Sequence, residues 1–84
     1  MNSDYELVIS PLSRSVTEKS HTVQVDIYRG LDTDWTLEVV DEFGNSTVWD
    51  DTFTSDKAAL DEALRTIREE GIESLIGLHN GDNQ

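Results

Sequence analysis

Along much of this chain apolar and polar residues take turns. Val23, Val25 and Ile27 alternate with Gln24, Asp26 and Tyr28, and Trp35, Leu37 and Val39 alternate with Thr36, Glu38 and Val40. A period of two is the mark of a strand with one face buried and one in water. Thr47 to Phe53 continues the theme, and Tyr5-Glu6-Leu7-Val8-Ile9 reads as a further strand that Pro11 stops. Residues 11–20, PLSRSVTEKS, hold turn formers and charges and read as a polar loop. RGLDTD turns the chain between the second and third strands. Phe43-Gly44-Asn45 forms the next hairpin tip, where Gly44 or Asn45 can take a positive φ.

After Phe53 the period changes. Leu60, Ala63, Leu64 and Ile67 recur at i, i+3, i+4 and i+7, one apolar stripe of a helix. Thr54 or Ser55 can cap its N-terminus, and Asp56 sits in the first turn, where the helix dipole favours an anion. Gly71 suits the position after the last turn, with Ile72 folding back on Ile67. Asp61 and Arg65 form an i, i+4 pair. Ile72, Leu75 and Ile76 repeat the helical spacing, as a short extra turn or as an interface patch. HNGDNQ, residues 79–84, reads as a disordered tail.

Short links between consecutive strands favour an antiparallel meander. The predicted fold is therefore α+β: a four-stranded antiparallel β-meander packed on one face by a C-terminal α-helix (ββββα), in a single domain over residues 1–78. Pattern also suggests registers. Ile27 pairs with Leu37 and Val25 with Val39, setting Tyr28 beside Thr36 and Asp26 beside Glu38. A tip at Phe43 to Asn45 sets Val39 opposite Trp49, Leu37 opposite Asp51, Trp35 opposite Phe53, Val40 opposite Val48 and Glu38 opposite Asp50. In that register Asp51 is an inward charge on an edge strand, a device against edge-to-edge pairing. Asp26, Glu38 and Asp50 would form a row across the solvent face, which Glu6 extends if the first strand pairs in its apolar register. Like charges placed opposite one another in a sheet oppose its stability, so such a row asks for a reason.

Composition narrows the chemistry. Eighteen acids against six bases give a net charge of −12 over 84 residues, one excess negative charge per seven. Such a chain repels phosphates and anionic membranes and attracts basic partners or cations. There is no cysteine, which removes disulfides, thiolate metal sites and thiol chemistry and suits a cytoplasmic location. The apolar runs are far shorter than the roughly 20 residues of a membrane helix, and MNSDYE lacks the basic and apolar regions of a signal peptide. A soluble, cytoplasmic protein is expected.

Candidate chemistry is sparse. His21 and His79, the only histidines, are too far apart in the predicted elements to share a metal or a proton relay. Asp32-Thr33-Asp34 resembles the start of a calcium loop, but Trp35 and Thr36 follow where that loop needs a ligand and a glycine. Asp26, Glu38 and Asp50 on an open sheet lack the enclosing ligands of a cation site, and no glycine spacing makes a phosphate cradle. No cofactor, metal or catalytic residue is predicted, and the protein is read as non-enzymatic. Three functional readings follow. The first is a protein–protein interaction or regulatory module, docking on another protein or on itself as a homodimer through an apolar patch of Tyr28, Val40, Val48, Leu75 and Ile76. The second is an acidic nucleic-acid mimic whose face Glu6, Asp26, Glu38 and Asp50 occupies the basic site of a DNA- or RNA-binding protein. The third, direct single-strand binding by Arg14, Lys19, Arg29 and Tyr28, is opposed by the overall charge.

Overall fold

The computed structural model describes residues 6–77. Tyr5, Leu78, His79 and the tail expected over 79–84 lie outside the described residues. Five strands, β1 (Val8–Ile9), β2 (Arg14–Glu18), β3 (His21–Arg29), β4 (Thr36–Asp41) and β5 (Ser46–Val48), precede the helix α1 (Asp56–Glu70) and a 3₁₀ turn over Ile72–Leu75. All pairings are antiparallel, in the order β1-β3-β4-β5, with β2 on β3 beside β1. The α+β meander with a C-terminal helix on one face is the fold.

The centre of the sheet follows the alternation. Val25 pairs with Val39, Asp26 with Glu38, Ile27 with Leu37 and Tyr28 with Thr36. Val23, Val25, Ile27, Leu37 and Val39 turn inward, and Ala59, Leu60, Ala63, Ile67, Ile72 and Leu75 meet them from the helical layer. Fully buried Ala59 and Ala63 have only methyl groups, so the helix backbone comes close to the sheet. Each large side chain withdrawn from water contributes roughly 1.5–3 kcal/mol. Ser55 caps α1, its hydroxyl accepting the Ala58 N–H at 3.0 Å. Gly71 ends it at φ 89°, its N–H bonding the Ile67 carbonyl, and the turn that follows buries Ile72. The expected Asp61–Arg65 pair does not form. Lys57 takes Asp61, and Arg65 holds Glu62 and Glu69.

Both edges differ from the expectation, and in the same way. The segment expected as a loop over 11–20 contains β2, joined to β3 by a two-residue turn at Lys19 and Ser20 with φ of 53° and 68°. Positive φ at both central residues gives the twist that suits a two-residue hairpin. β2 escapes a pattern search because it offers only Val16 to the core, between Arg14 and Glu18. β1 and β2 act as one strand along the edge of β3, interrupted where Ser10–Ser13 insert two residues. Val8 pairs with Arg29, whereas Arg14 pairs with Val25. Ser10, 2% exposed, anchors the break: its N–H bonds Ile27, and its hydroxyl donates to Asp56 at the start of α1 (2.8 Å). Ser13 Oγ accepts the Ile27 N–H.

The opposite edge breaks at Asp50 and Asp51. The hairpin tip is Glu42–Gly44, with Gly44 at φ 86° and Asp41 bonded to Asn45, one residue earlier than expected. Glu38 therefore pairs with Val48, Val39 with Thr47 and Val40 with Ser46. The Trp49 N–H bonds Leu37, and Trp35 still pairs with Phe53 as expected. One residue on β4, Thr36, faces three on the other side, so two are extra. A continuous ladder carrying Asp51 opposite Leu37 would bury a carboxylate, which costs more than breaking the ladder. The break sends Asp50 and Asp51 to solvent and keeps Trp35, Trp49 and Phe53 against the core. The Trp49 indole N–H then reaches Glu62 on α1 (3.1 Å).

Deleting Asp50 and Asp51 together is expected to leave the fold intact, with stability changed by no more than about 1 kcal/mol, because the register then runs on to Phe53. The regular edge should associate more readily, visible as concentration-dependent light scattering. Loss of the far-ultraviolet circular dichroism signal would show instead that the bend is structurally required.

Candidate interaction surface

Helix α1 and the 3₁₀ turn cover one face of the sheet. Among the described residues no element packs on the other, whose side chains come from alternate positions of every strand. Along one flank Ile9 sits opposite Tyr28, with Leu7 two residues from Ile9 on the same side. The centre is the pair Asp26 and Glu38. Beyond it lie Val48, opposite Glu38, and Val40, opposite Ser46. Leu7, Ile9 and Val48 are 60%, 59% and 50% exposed. Apolar side chains thus flank a pair of adjacent carboxylates.

These carboxylates are held by neutral donors. Tyr28 Oη donates to Glu38 Oε1 at 2.9 Å, Ser46 Oγ to Glu38 Oε2 at 2.5 Å, and Gln24 Nε2 to Asp26 Oδ1 at 3.1 Å. No lysine or arginine pairs with either among the described residues. The Tyr28 phenol is raised from its ordinary value by its burial, then by its hydrogen bond to Glu38 and by the nearby charges of Glu38 and Asp26. It stays protonated and keeps donating. The surface therefore presents two negative charges without a cationic partner, one of them fixed in orientation, among the polar Gln24, Thr36 and Ser46 and flanked by apolar side chains.

The four-carboxylate row does not assemble. Asp26 and Glu38 are neighbours, but Val48 takes the place expected for Asp50, which lies in the bend. Glu6 precedes β1, whose register leads it away from Asp26. The apolar set also divides. Tyr28, Val40 and Val48 lie on the uncovered face, whereas Leu75, 5% exposed, is core, and Ile76 packs against that core from the edge. Ile9 and Leu7, absent from the expected set, belong to the patch as well. Their alternation with Val8 carried the signal, but the expected strand register concealed it. Among the described residues no three histidine, aspartate or glutamate side chains gather as metal ligands. No helix among them is long and apolar enough to cross a membrane.

The cations expected to share a groove with Tyr28 are dispersed. Arg29 lies over the Trp35 ring at 5.0 Å from its centroid, on the helix-covered side, and Arg14 bonds the Leu12 carbonyl.

A buried carboxylate, Asp41, ties this end of the molecule together. It is 5% exposed and faces inward at the end of β4. Oδ1 accepts the N–H groups of Phe43 (2.9 Å) and Asn45 (2.8 Å). Oδ2 accepts the Asn45 side-chain amide and the Gly77 N–H. Burial pushes its pKa up, but these bonds together outweigh burial and hold it below the ordinary carboxylate value. The aspartate at the start of a turn with glycine three residues on was the available signal. Its link to Gly77 had none. Compared with protein-family models, curated proteins and solved structures, the chain matches none.

Proposed function

We propose that this chain is a non-enzymatic protein–protein interaction module that docks another protein on the uncovered face of its sheet. The observation that carries the reading is the flank of exposed Leu7, Ile9 and Val48 and half-buried Tyr28 and Val40 around Asp26 and Glu38, which have no cationic partner among the described residues. Apolar side chains at the centre of an interface supply affinity, and a charge supplies orientation and partner choice. The fitting partner presents apolar side chains around a lysine or arginine that reaches Glu38 and Asp26. Self-docking through this face is disfavoured, because a face-to-face pair would set these carboxylates against their own copies. A cysteine-free, acidic chain suits such a role in the cytoplasm.

Nucleic-acid mimicry drew its geometric motive from four aligned carboxylates, and only two are adjacent. Direct single-strand binding needed basic groups beside Tyr28, and Arg14 and Arg29 lie elsewhere.

Affinity capture with wild type and an Ile9→Glu/Val48→Glu variant tests the reading. A specific partner should be retained at least about tenfold less by the variant, a difference of roughly 1.4 kcal/mol. Asp26→Asn/Glu38→Gln should weaken capture and reduce its salt dependence. Equal retention by all three folded proteins would overturn the assignment to this face.

A further inference from the structure

β2 borders the sheet, and its outward backbone groups bond no backbone among the described residues. Its pairing with β3 closes at Glu18 and His21 around the turn Lys19–Ser20. In a two-residue hairpin the closing pair is hydrogen-bonded, and bonded and non-bonded pairs then alternate. Arg14, Val16 and Glu18 therefore bond toward β3. The N–H and C=O groups of Ser15 and Thr17 point to the free edge. α1 packs over β3 and β4 rather than β2. This leaves an open groove of about 430 Å³ lined by Val16, Glu18, Lys19, Leu64, Ile67 and Arg68.

We propose that β2 is a self-association edge: it pairs antiparallel with β2 of a second copy across a two-fold axis at Val16. The strand sequence, Arg-Ser-Val-Thr-Glu, is complementary to itself in that register. Arg14 falls opposite the partner's Glu18, and Glu18 opposite the partner's Arg14. Ser15 meets the partner's Thr17, so the outward backbone groups of both residues bond, giving two bonded pairs related by the axis. Val16 meets the partner's Val16 at a non-bonded pair, where side chains approach most closely, and extends the apolar floor of the groove. Shifting the register by two residues keeps the backbone parity but loses both Arg–Glu pairs.

Charge also selects this edge. Between Leu7 and Val25 the charged side chains are Arg14, Glu18 and Lys19, two bases and one acid, in a chain of net charge −12. A second acidic copy is repelled least there. The interruption at Ser10–Ser13 confines regular pairing to β2, so the contact closes as an isologous dimer instead of propagating. The proposal does not depend on the uncovered face, which remains open in such a dimer.

Sedimentation velocity on the intact chain, from about 10 μM to 1 mM, tests it. Wild type should dimerise with increasing concentration. Glu18→Arg and Arg14→Glu should each raise the dissociation constant about tenfold or more, since both ion pairs become repulsive. An equimolar mixture of the two variants should recover association, because each supplies the charges the other lacks. That recovery also shows that both are folded. Thr17→Pro, which removes an outward N–H and none directed at β3, should weaken the dimer as well. Wild type that stays monomeric throughout, a dimer indifferent to both charge reversals, or a mixture that fails to associate would each overturn the proposal.

Discussion

Asp41→Ala is expected to lower stability by about 2–4 kcal/mol, because it removes a buried carboxylate from four half-buried hydrogen bonds. The substitution leaves the N–H groups of Phe43, Asn45 and Gly77 and the Asn45 side-chain amide without their acceptor. For a domain of this size each kcal/mol moves Tm by roughly 4–8 °C, so thermal unfolding should shift by at least about 8 °C. Asp41→Asn keeps the shape and one accepting oxygen and should fall between wild type and alanine. Amide exchange should accelerate at Asn45 and Gly77 in both variants. Close packing explains why this point tolerates little change: a Cβ added at Gly77 would lie 2.5 Å from Asn45 Nδ2.

The same carboxylate predicts a pH dependence. Its folded pKa lies below the unfolded value, so its stabilisation is complete above the ordinary carboxylate range of about 4 and is lost as pH falls through the folded value. Glu62, held down chiefly by its hydrogen bonds to Arg65, and Glu42, held down chiefly by His21, lose stability in the same direction. Comparing Asp41→Asn with wild type separates the contribution of Asp41. The gap in stability should narrow below about pH 4. A gap that stays constant to strong acid would mean that Asp41 stabilises by shape and not as an anion.

Ile27→Ala is expected to cost about 2–5 kcal/mol. Ile27 is fully buried at the middle of β3, between Leu37 on β4 and the broken edge strand. A domain of this length holds a total of roughly 4–13 kcal/mol, so the variant should be largely unfolded well below the wild-type Tm. Its backbone is anchored too, with the N–H on Ser13 Oγ (3.0 Å) and the carbonyl accepting from the Ser10 N–H (2.8 Å). Ile27→Val, which keeps those bonds and removes one methyl group, should cost only about 0.5–1.5 kcal/mol. Urea denaturation of both variants would check this. Near-equal losses would show that the cost does not follow the volume of the cavity.

The predictable parts of this molecule are those in which one local rule acts alone. β3 and β4 lie in the middle of the sheet with one face on the core, so alternation specifies both their identity and their register. Ser55, Asp56 and Gly71 mark the ends of α1 because caps act within a turn. The edges were harder to read. Val16 alone represents β2 in the core, so hydrophobic spacing is silent there. Thr47 to Phe53 reads as one strand, although a continuous strand would drive Asp51 into the core.

The candidate surface was legible to the same extent. Tyr28, Val40 and the Asp26–Glu38 pair sit on central strands and follow from their register. Val48 lies on the expected face, although opposite Glu38 and not Val40, because a two-residue slip preserves which side a residue faces. The same slip removes Asp50 from the carboxylate row. Leu75 belongs to the core because the chain after Gly71 turns back under the sheet, whereas the spacing of Ile72, Leu75 and Ile76 fits an extra turn and an interface patch equally well.

The amino-acid sequence by itself determined the fold class, the central strand pairing, the helix and the strongly acidic character, all of which depend on periodicity, caps and composition. Only the tertiary structure decided where both edge strands break, that Asp41 joins the β4–β5 hairpin to Gly77, and which carboxylates stand together. The break at Asp50 and Asp51 balances ladder hydrogen bonds against burying a charge, and that balance exists only once the helix has covered one face of the sheet.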